Sequence, residues 1–317
     1  MENSTQSNPP FRLKFHGDGG TLFGIVLVNA LLTFVTLGIY YPWARAKLLK
    51  YFYSETEFNG NRFEFHGTGK EMFKGFIKVI IILIAIYGIA MCGAFTKSPG
   101  LILLIYPIIF AIIPFAIHGA MRYRLSRTSW RGIHFGYHGD LKEFLGLFFK
   151  NLLLTIVTLG IYGPWMEVNL HKYVEGHSRI GNAKVQFNAS GGDFFVLHLK
   201  GYLLSLITLG IYLPWYITSI HRFYIEHTSI EQNGTVSAFK THITGGAFFL
   251  LSLVNVLIVV LTLGIGYSWV RIRVMRFYIE NLELEGGFNP DSLIQTETEY
   301  TNATGDDMLS MFEIDLA

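Results

Sequence analysis

The sequence predicts an all-α integral membrane protein with about six transmembrane helices, arranged as five tandem units of about 50 residues with short extramembrane β-hairpins. Three observations carry this. The 317-residue chain is 51% apolar and 15% charged, against about 25% charged in soluble domains. Six apolar windows, approximately 22–43, 76–95, 101–121, 144–165, 194–215 and 247–270, each approach the roughly 20 residues that span a hydrocarbon core as a helix. A short string recurs along the chain. These windows and the single cysteine, Cys92, exclude a soluble enzyme, a secreted disulfide scaffold and a transmembrane β-barrel.

Residues 1–19 form a polar N-terminal segment with Pro9, Pro10, Arg12 and Lys14. The apolar run behind it exceeds a signal-peptide core, so it is expected to remain as a membrane helix. The repeat domain follows over 20–281. T-L-G-I-Y stands at Thr36–Tyr40, Thr158–Tyr162 and Thr208–Tyr212, with a variant at Thr262–Gly266; Pro42-Trp43, Pro164-Trp165, Pro214-Trp215 and Ser268-Trp269 come two residues later. Pro164 and Pro214 are 50 residues apart, and the same step back from Pro164 reaches Pro114-Phe115, a fifth copy. Eight residues past each landmark stand Lys50, Arg122, Lys172, Arg222 and Arg276, and one further on Tyr51, Tyr123, Tyr173, Phe223 and Phe277. The units run approximately over 15–64, 65–134, 135–186, 187–241 and 242–281, and the second carries 22 extra residues, about one membrane crossing. Gly38 with Pro42, Gly160 with Pro164, Gly210 with Pro214, and Gly264 predict a break between an apolar helix and a basic amphipathic one. In the fifth unit Gly266 and Ser268 replace Tyr and Pro, which predicts a weaker break. Residues 54–66 illustrate the closing β-like piece, with Asn59-Gly60 as a type I′ turn signal between alternating aromatic and polar positions.

The F-H-G-x-G start, the N-x-L-L-x-x-x-T-L-G-I-Y-x-P-W helix and the F-N-G-x-R-F-x-F-x-G tail resemble the YjgN-type family of bacterial inner-membrane proteins, a domain of unknown function. The match runs from about Phe11 to Gly287. The resemblance implies a multi-pass protein of the bacterial inner membrane, and it supplies no catalytic or binding residues.

Charge votes on topology, because cytoplasmic flanks are rich in Lys and Arg. With six single crossings, one set of flanks holds 14 basic residues and the other 9. That places 54–66 inside, and 178–190 with both termini outside. Nearly every flank except 96–100 is basic, however, which alternation should avoid. A competing arrangement has units one, three, four and five entering to the break and returning, with only unit two crossing. Against it, the returning segments carry Arg45, Lys47 and Lys50, or Arg271, Arg273 and Arg276, and each cation at membrane depth costs at least about 2.5–3.5 kcal/mol. Six crossings, with the basic helices in the interface, are favoured.

Intramembrane polar residues are the first place to seek function. Lys150 and Lys200 share one repeat position, and a lysine so near the interface is expected to snorkel, with an ion or lipid site as the alternative. Asn29, Asn151 and Asn255 read as interhelical glue, or as amides lining a pathway around a pseudo-symmetric axis. The cation–aromatic pairs from Lys50-Tyr51 to Arg276-Phe277 have the composition of interfacial anchors. His16, His66 and His138 recur in register as turn residues, and no H-E-x-x-H or C-x-x-C suggests a metal. The G-x-G pieces read as helix entries, with phosphate binding the alternative. No catalytic motif and no cofactor signature stands out, and a soluble basic face for nucleic acid is missing.

From Leu282 onward nine acidic residues stand without Lys or Arg, which predicts an acidic disordered tail over 282–317, with Met308–Phe312 as a short apolar patch that docks on a protein partner or back on the chain's own basic surface. The functional expectation is a non-catalytic membrane protein that moves or accommodates a solute or lipid. The alternative is a structural or assembly role in the bilayer.

Overall fold

The computed structural model describes residues 10–297 and overturns the all-α class. Among the described residues ten strands close into one antiparallel barrel: β1 (Phe11–Phe15), β2 (Thr56–Phe58), β3 (Asn61–Phe65), β4 (Thr128–Trp130), β5 (Ile133–Tyr137), β6 (Ser178–Ile180), β7 (Ala183–Phe187), β8 (Thr228–Gln232), β9 (Thr235–Thr241) and β10 (Leu282–Gly286). Each pairs with its neighbours in sequence, and β1 pairs with β10 to complete the ring. The physical reason is the open edge. An isolated hairpin leaves two rows of backbone donors and acceptors unpaired, and five hairpins joined in a circle leave none. Alternate side chains fill the lumen: Phe58, Trp130, Ile180, Ala183, Ile230 and Leu284 are buried there together. The Trp130 indole donates to the carbonyls of Phe58 (3.2 Å) and Asn61 (3.1 Å), so this large ring buries no unpaired polar atom.

Long connections leave only the rim opposite the tight turns, because the antiparallel strands follow chain order. Five helical hairpins stand on that rim: α1 (Gly19–Val35) with α2 (Tyr41–Glu55); α3 (Gly69–Phe95) with α4 (Pro99–Leu103) and α5 (Ile105–Ser126); α6 (Leu141–Val157) with α7 (Gly163–Gly176); α8 (Gly191–Ile207) with α9 (Leu213–His227); and α10 (Gly245–Leu261) with α11 (Tyr267–Glu280). Six single crossings are therefore excluded. They would put β2–β3 and β6–β7 on opposite sides of a membrane, whereas both lie in one barrel. Two stretches are long and apolar enough to cross, Gly69–Phe95 and Pro99–Ser126. The four 17-residue first helices reach about 25 Å at about 1.5 Å per residue, and the 27 residues of α3 about 40 Å. The extra residues of unit two thus deepen one hairpin.

The other four predicted spans are each a helix, a break and the start of a returning helix. Leu37, Leu159, Leu209 and Leu263 take φ of 49–52°, and the glycines after them 89–93°. Gly38 N–H donates to the Thr33 carbonyl (2.8 Å) and closes α1. Thr36 Oγ1 accepts from Tyr40 N–H (3.0 Å) and so begins α2. Thr158 and Thr208 repeat this bond, and Thr262 accepts from Gly266 N–H at 2.8 Å. The fifth break keeps the form of the others despite losing Pro and Tyr, because threonine and glycine make it. The four leucines are 93–94% exposed at the hairpin tips. Apolar surface of that extent suits hydrocarbon.

Tryptophan and glycine lock four of the five hairpins to the next. A Cβ at Gly69 would overlap Trp43, one at Gly191 Trp165, one at Gly245 Trp215, and one at Gly19 Trp269. Each indole also meets a phenylalanine four residues past that glycine, for example Trp43 with Phe73 at 5.1 Å. Unit two departs from the pattern as a set: Phe115 replaces Trp, and the next unit carries Leu141 for Gly and Leu145 for Phe. The second glycine of G-x-G is there to admit an indole.

The predicted acidic tail also needs correction. Leu282–Gly286 is β10, the strand that closes the barrel, and Glu283 is buried between Arg12 (2.6 Å) and His242 (2.9 Å). Phe288 and Leu293 join the lumen core, and Glu297 meets His138 (2.9 Å) and Arg179 (3.1 Å). Strand formation here satisfies a barrel edge and buries alternate apolar residues, a tertiary gain that local charge composition does not register. The Met308–Phe312 patch lies outside the described residues.

Candidate functional site: the axial chamber

Counted from the Pro or Ser landmark, positions three, seven and ten of the returning helices share one helical face. Three such faces meet in a cavity of about 390 Å³ at the junction of helices and barrel. Arg45, Leu49 and Phe52 come from α2, Arg124 from α5, Arg271 and Met275 from α11, and Leu13 and Phe63 from the barrel. The Arg271 guanidinium lies 4.7 Å from the centre of the Phe52 ring. This volume falls among small-molecule pockets, roughly 300–1,000 Å³. Toward the barrel the chamber ends on the packed lumen. The expected penalty for cations on the returning helices is thereby reduced for Arg45 and Arg271, since they face this chamber and not lipid.

The equivalent faces of α7 and α9 carry Glu167, His171 and Tyr224, with Glu175 one turn beyond His171. Tyr224 donates its hydroxyl to Glu167, His171 contacts Glu175 at 2.8 Å, and Thr228 Oγ1 donates to Glu175 at 2.9 Å. Cationic side chains thus come from units one, two and five, and carboxylates from unit three.

The residues singled out by sequence are dispersed. Asn29 donates to the Ala44 carbonyl (3.3 Å), Asn151 accepts from Asn169 (2.8 Å) and Asn255 accepts from Arg273 (3.0 Å). Each amide ties the two helices of its own hairpin, and no ring of amides forms. In unit four Gly201 stands at that position and admits the Tyr216 ring, which bonds His198. Lys150 and Lys200 are exposed midway along α6 and α8. Gly38, Gly160, Gly210 and Gly264 sit at the breaks, each followed four residues on by Pro42, Pro164, Pro214 or Ser268 in the first turn of the returning helix.

The supposed interfacial anchors divide. Lys50, Arg122, Lys172, Arg222 and Arg276 are exposed, whereas Tyr51, Tyr123, Tyr173 and Phe223 are buried and Phe277 half-buried. The aromatics are therefore core, pinned to the helix entries: Tyr51 donates to the Asp18 carbonyl (2.8 Å) and Tyr173 to that of Asp140 (2.9 Å). Cations also reach the next unit: Arg222 donates to the Ile243 carbonyl (2.6 Å) and Arg276 to that of Gly17 (3.0 Å).

Helix entry is capped by side chains. Asp18 accepts from Thr21 N–H (2.8 Å) and Asp140 from Glu143 N–H (3.0 Å), and these bonds hold both carboxyls below their ordinary value. His16 meets Glu57 and His66 meets Ser129, each at 2.7 Å, outside the lumen. Bonding to His242 holds Glu283 below its ordinary value, with Arg12 adding to the effect. The arginine chamber escaped sequence reading because its members lie in different units and at different repeat positions. The available signal was the seven-residue interval between positions three and ten, which shares one helical face.

The model of the family described as "Bacterial protein of unknown function (DUF898)" matches residues 10–200, 182–236 and 232–311. Inner membrane protein YjgN of Salmonella typhimurium strain LT2 is 35% identical over 158 residues, covering 50% of this chain and 39% of that protein. Inner membrane protein YjgN of Escherichia coli strain K12 is 32% identical over 149 residues, covering 47% and 36%. The matched stretch thus spans less than half the length of these relatives. No solved structure matches.

Proposed function

Starting from the fact that this chain belongs to the DUF898 family of bacterial proteins of unknown function and resides in the bacterial inner membrane, we propose that it accommodates a small amphiphile or solute in its axial chamber and moves it between bilayer and barrel rim. The chamber itself is the supporting observation: three helical hairpins and the barrel leave between them a mainly apolar cavity with three arginines in its lining. In this reading unit two crosses the bilayer down and back, and the other four hairpins enter and return. Lys97 is the one Lys or Arg between 79 and 121, so the positive-inside preference favours a cytoplasmic barrel. The mode is non-catalytic. The packed lumen makes a straight pore through the barrel a poor description, so exchange runs sideways between hairpins.

A structural or assembly role is the second reading, favoured by the absorption of the asparagines and motif glycines into packing. Reconstitution into liposomes, with a panel of ions, amphiphiles and labelled lipids, separates the two. Flux or scrambling above protein-free vesicles is expected. Inactivity across the whole panel favours the structural role.

A further inference from the structure

The chamber brings Arg45, Arg124 and Arg271 together from three hairpins that are far apart in sequence. Like charges gathered in one partly apolar cavity repel, and the arrangement is favourable when an anion sits among them. Elsewhere arginines meet carboxylates: Arg127 with Glu71 (2.9 Å), Arg131 with Asp291 (2.7 Å) and Arg179 with Glu297 (3.1 Å). Among the described residues no ion pair joins Arg124 or Arg271 to a carboxylate, and Arg271 rests on Phe52 instead. Repeat packing does not demand these cations. Position three is Arg45, Ile117, Glu167, Ile217 and Arg271 through the five units, and position ten is Phe52, Arg124, Val174, Tyr224 and Tyr278.

We infer that the chamber binds the phosphate-type oxyanion of an amphiphile, held by Arg45, Arg124 and Arg271, with the apolar part lying on Leu49, Phe52, Phe63 and Met275. Guanidinium presents a planar fork of donors that matches phosphate oxygens two at a time, and the surrounding apolar side chains match the carbon portion that a free ion lacks. The inference deepens the ligand-accommodation reading and rests on it for the chamber's role.

The test uses the purified full chain in detergent with three probes: phosphatidylglycerol, diacylglycerol of the same chains, and inorganic phosphate. Phosphatidylglycerol is expected to bind and to slow phenylglyoxal modification of Arg124 and Arg271 without protecting exposed Arg62, whereas diacylglycerol does neither. Arg124→Gln with Arg271→Gln should weaken binding by about ten-fold or more, Arg124→Lys with Arg271→Lys by less, and Lys50→Gln with Lys172→Gln not at all. Protection by inorganic phosphate equal to that by lipid assigns a free oxyanion as the source; protection by lipid alone assigns a headgroup. Absence of protection by both in the unsubstituted protein overturns the inference without relying on any variant's folding. So does an equal loss of binding in the Lys50→Gln, Lys172→Gln protein. Binding without flux in liposomes rejects transport while keeping the anion site, and flux with neither lipid nor phosphate protecting Arg124 and Arg271 rejects the anion site while keeping transport.

Discussion

The barrel and the crown of helices are built by the same five units, yet they treat their common axis differently. In the barrel the axis is filled: Phe58, Trp130, Ile180, Ile230 and Leu284 interdigitate, and Phe288 and Leu293 from the chain's return pack against them. In the crown the returning helices leave about 390 Å³ open and turn three arginines toward it. A filled axis resists substitution and fixes the ring; an open, charged one offers space to a ligand. The difference separates scaffold from site.

The sharpest way to break that division is to exchange the sensitivities of the two regions. Trp130→Ala should remove about 3–5 kcal/mol and collapse the yield of folded protein, whereas Arg124→Gln should leave thermal unfolding in detergent nearly unchanged. Equal destabilisation by the two would make the chamber part of the core. Next in size is the indole–glycine lock. Gly69→Leu should cost about 1–3 kcal/mol through overlap with Trp43, and Trp43→Phe in the same chain should restore part of it, since Phe115 and Leu141 occupy the two equivalent positions where the chain departs from the Trp and Gly pattern. A double variant no better than the single one would refute the lock.

At the crown's tips, Gly38→Ala should cost about 1–2 kcal/mol, because φ is +92° and nothing within reach would be gained by the methyl group. The same change at Gly24, in a helix with open space around it, should be neutral or mildly stabilising, as unfolding transitions would show. The smallest effect concerns barrel closure. The Glu283 carboxyl sits below its ordinary value of 4.5, so its contribution is complete above that pH and is lost as acid protonates it in the folded state. Glu283→Gln should therefore be less stable at neutral pH and should flatten the acid limb of the stability profile; an unchanged acid limb would remove this residue from the closure.

Much of the crown was legible in the sequence. The T-L-G-I-Y string specifies its turn outright, through a threonine cap, a left-handed leucine and a glycine at φ near +90°. Asn59-Gly60 likewise announces a hairpin, with φ of 48° and 75°. What local pattern does not carry is how hairpins with short strands such as Thr56–Phe58 pair with partners more than 60 residues away, as β3 does with β4. Leu282–Gly286 shows the same limit: its glutamates read as a solvated tail, although alternate residues enter the lumen and Glu283 finds Arg12 and His242. The amides and the aromatic anchors were visible as repeated polar and ring positions. Whether Tyr51 faces lipid or the Asp18 carbonyl depends on how successive helices pack, which spacing alone leaves open.

Sidedness of the hairpins tests the architecture most directly. In a Cys92→Ser background, single cysteines at Asn61 on β3, Lys184 on β7 and Lys97 in the far loop can be labelled in intact cells with a reagent that does not cross the inner membrane. A single barrel with one crossing hairpin predicts labelling at Lys97 and protection at both Asn61 and Lys184, each becoming reactive once the membrane is opened. Labelling of Asn61 and Lys184 from opposite sides would contradict the barrel.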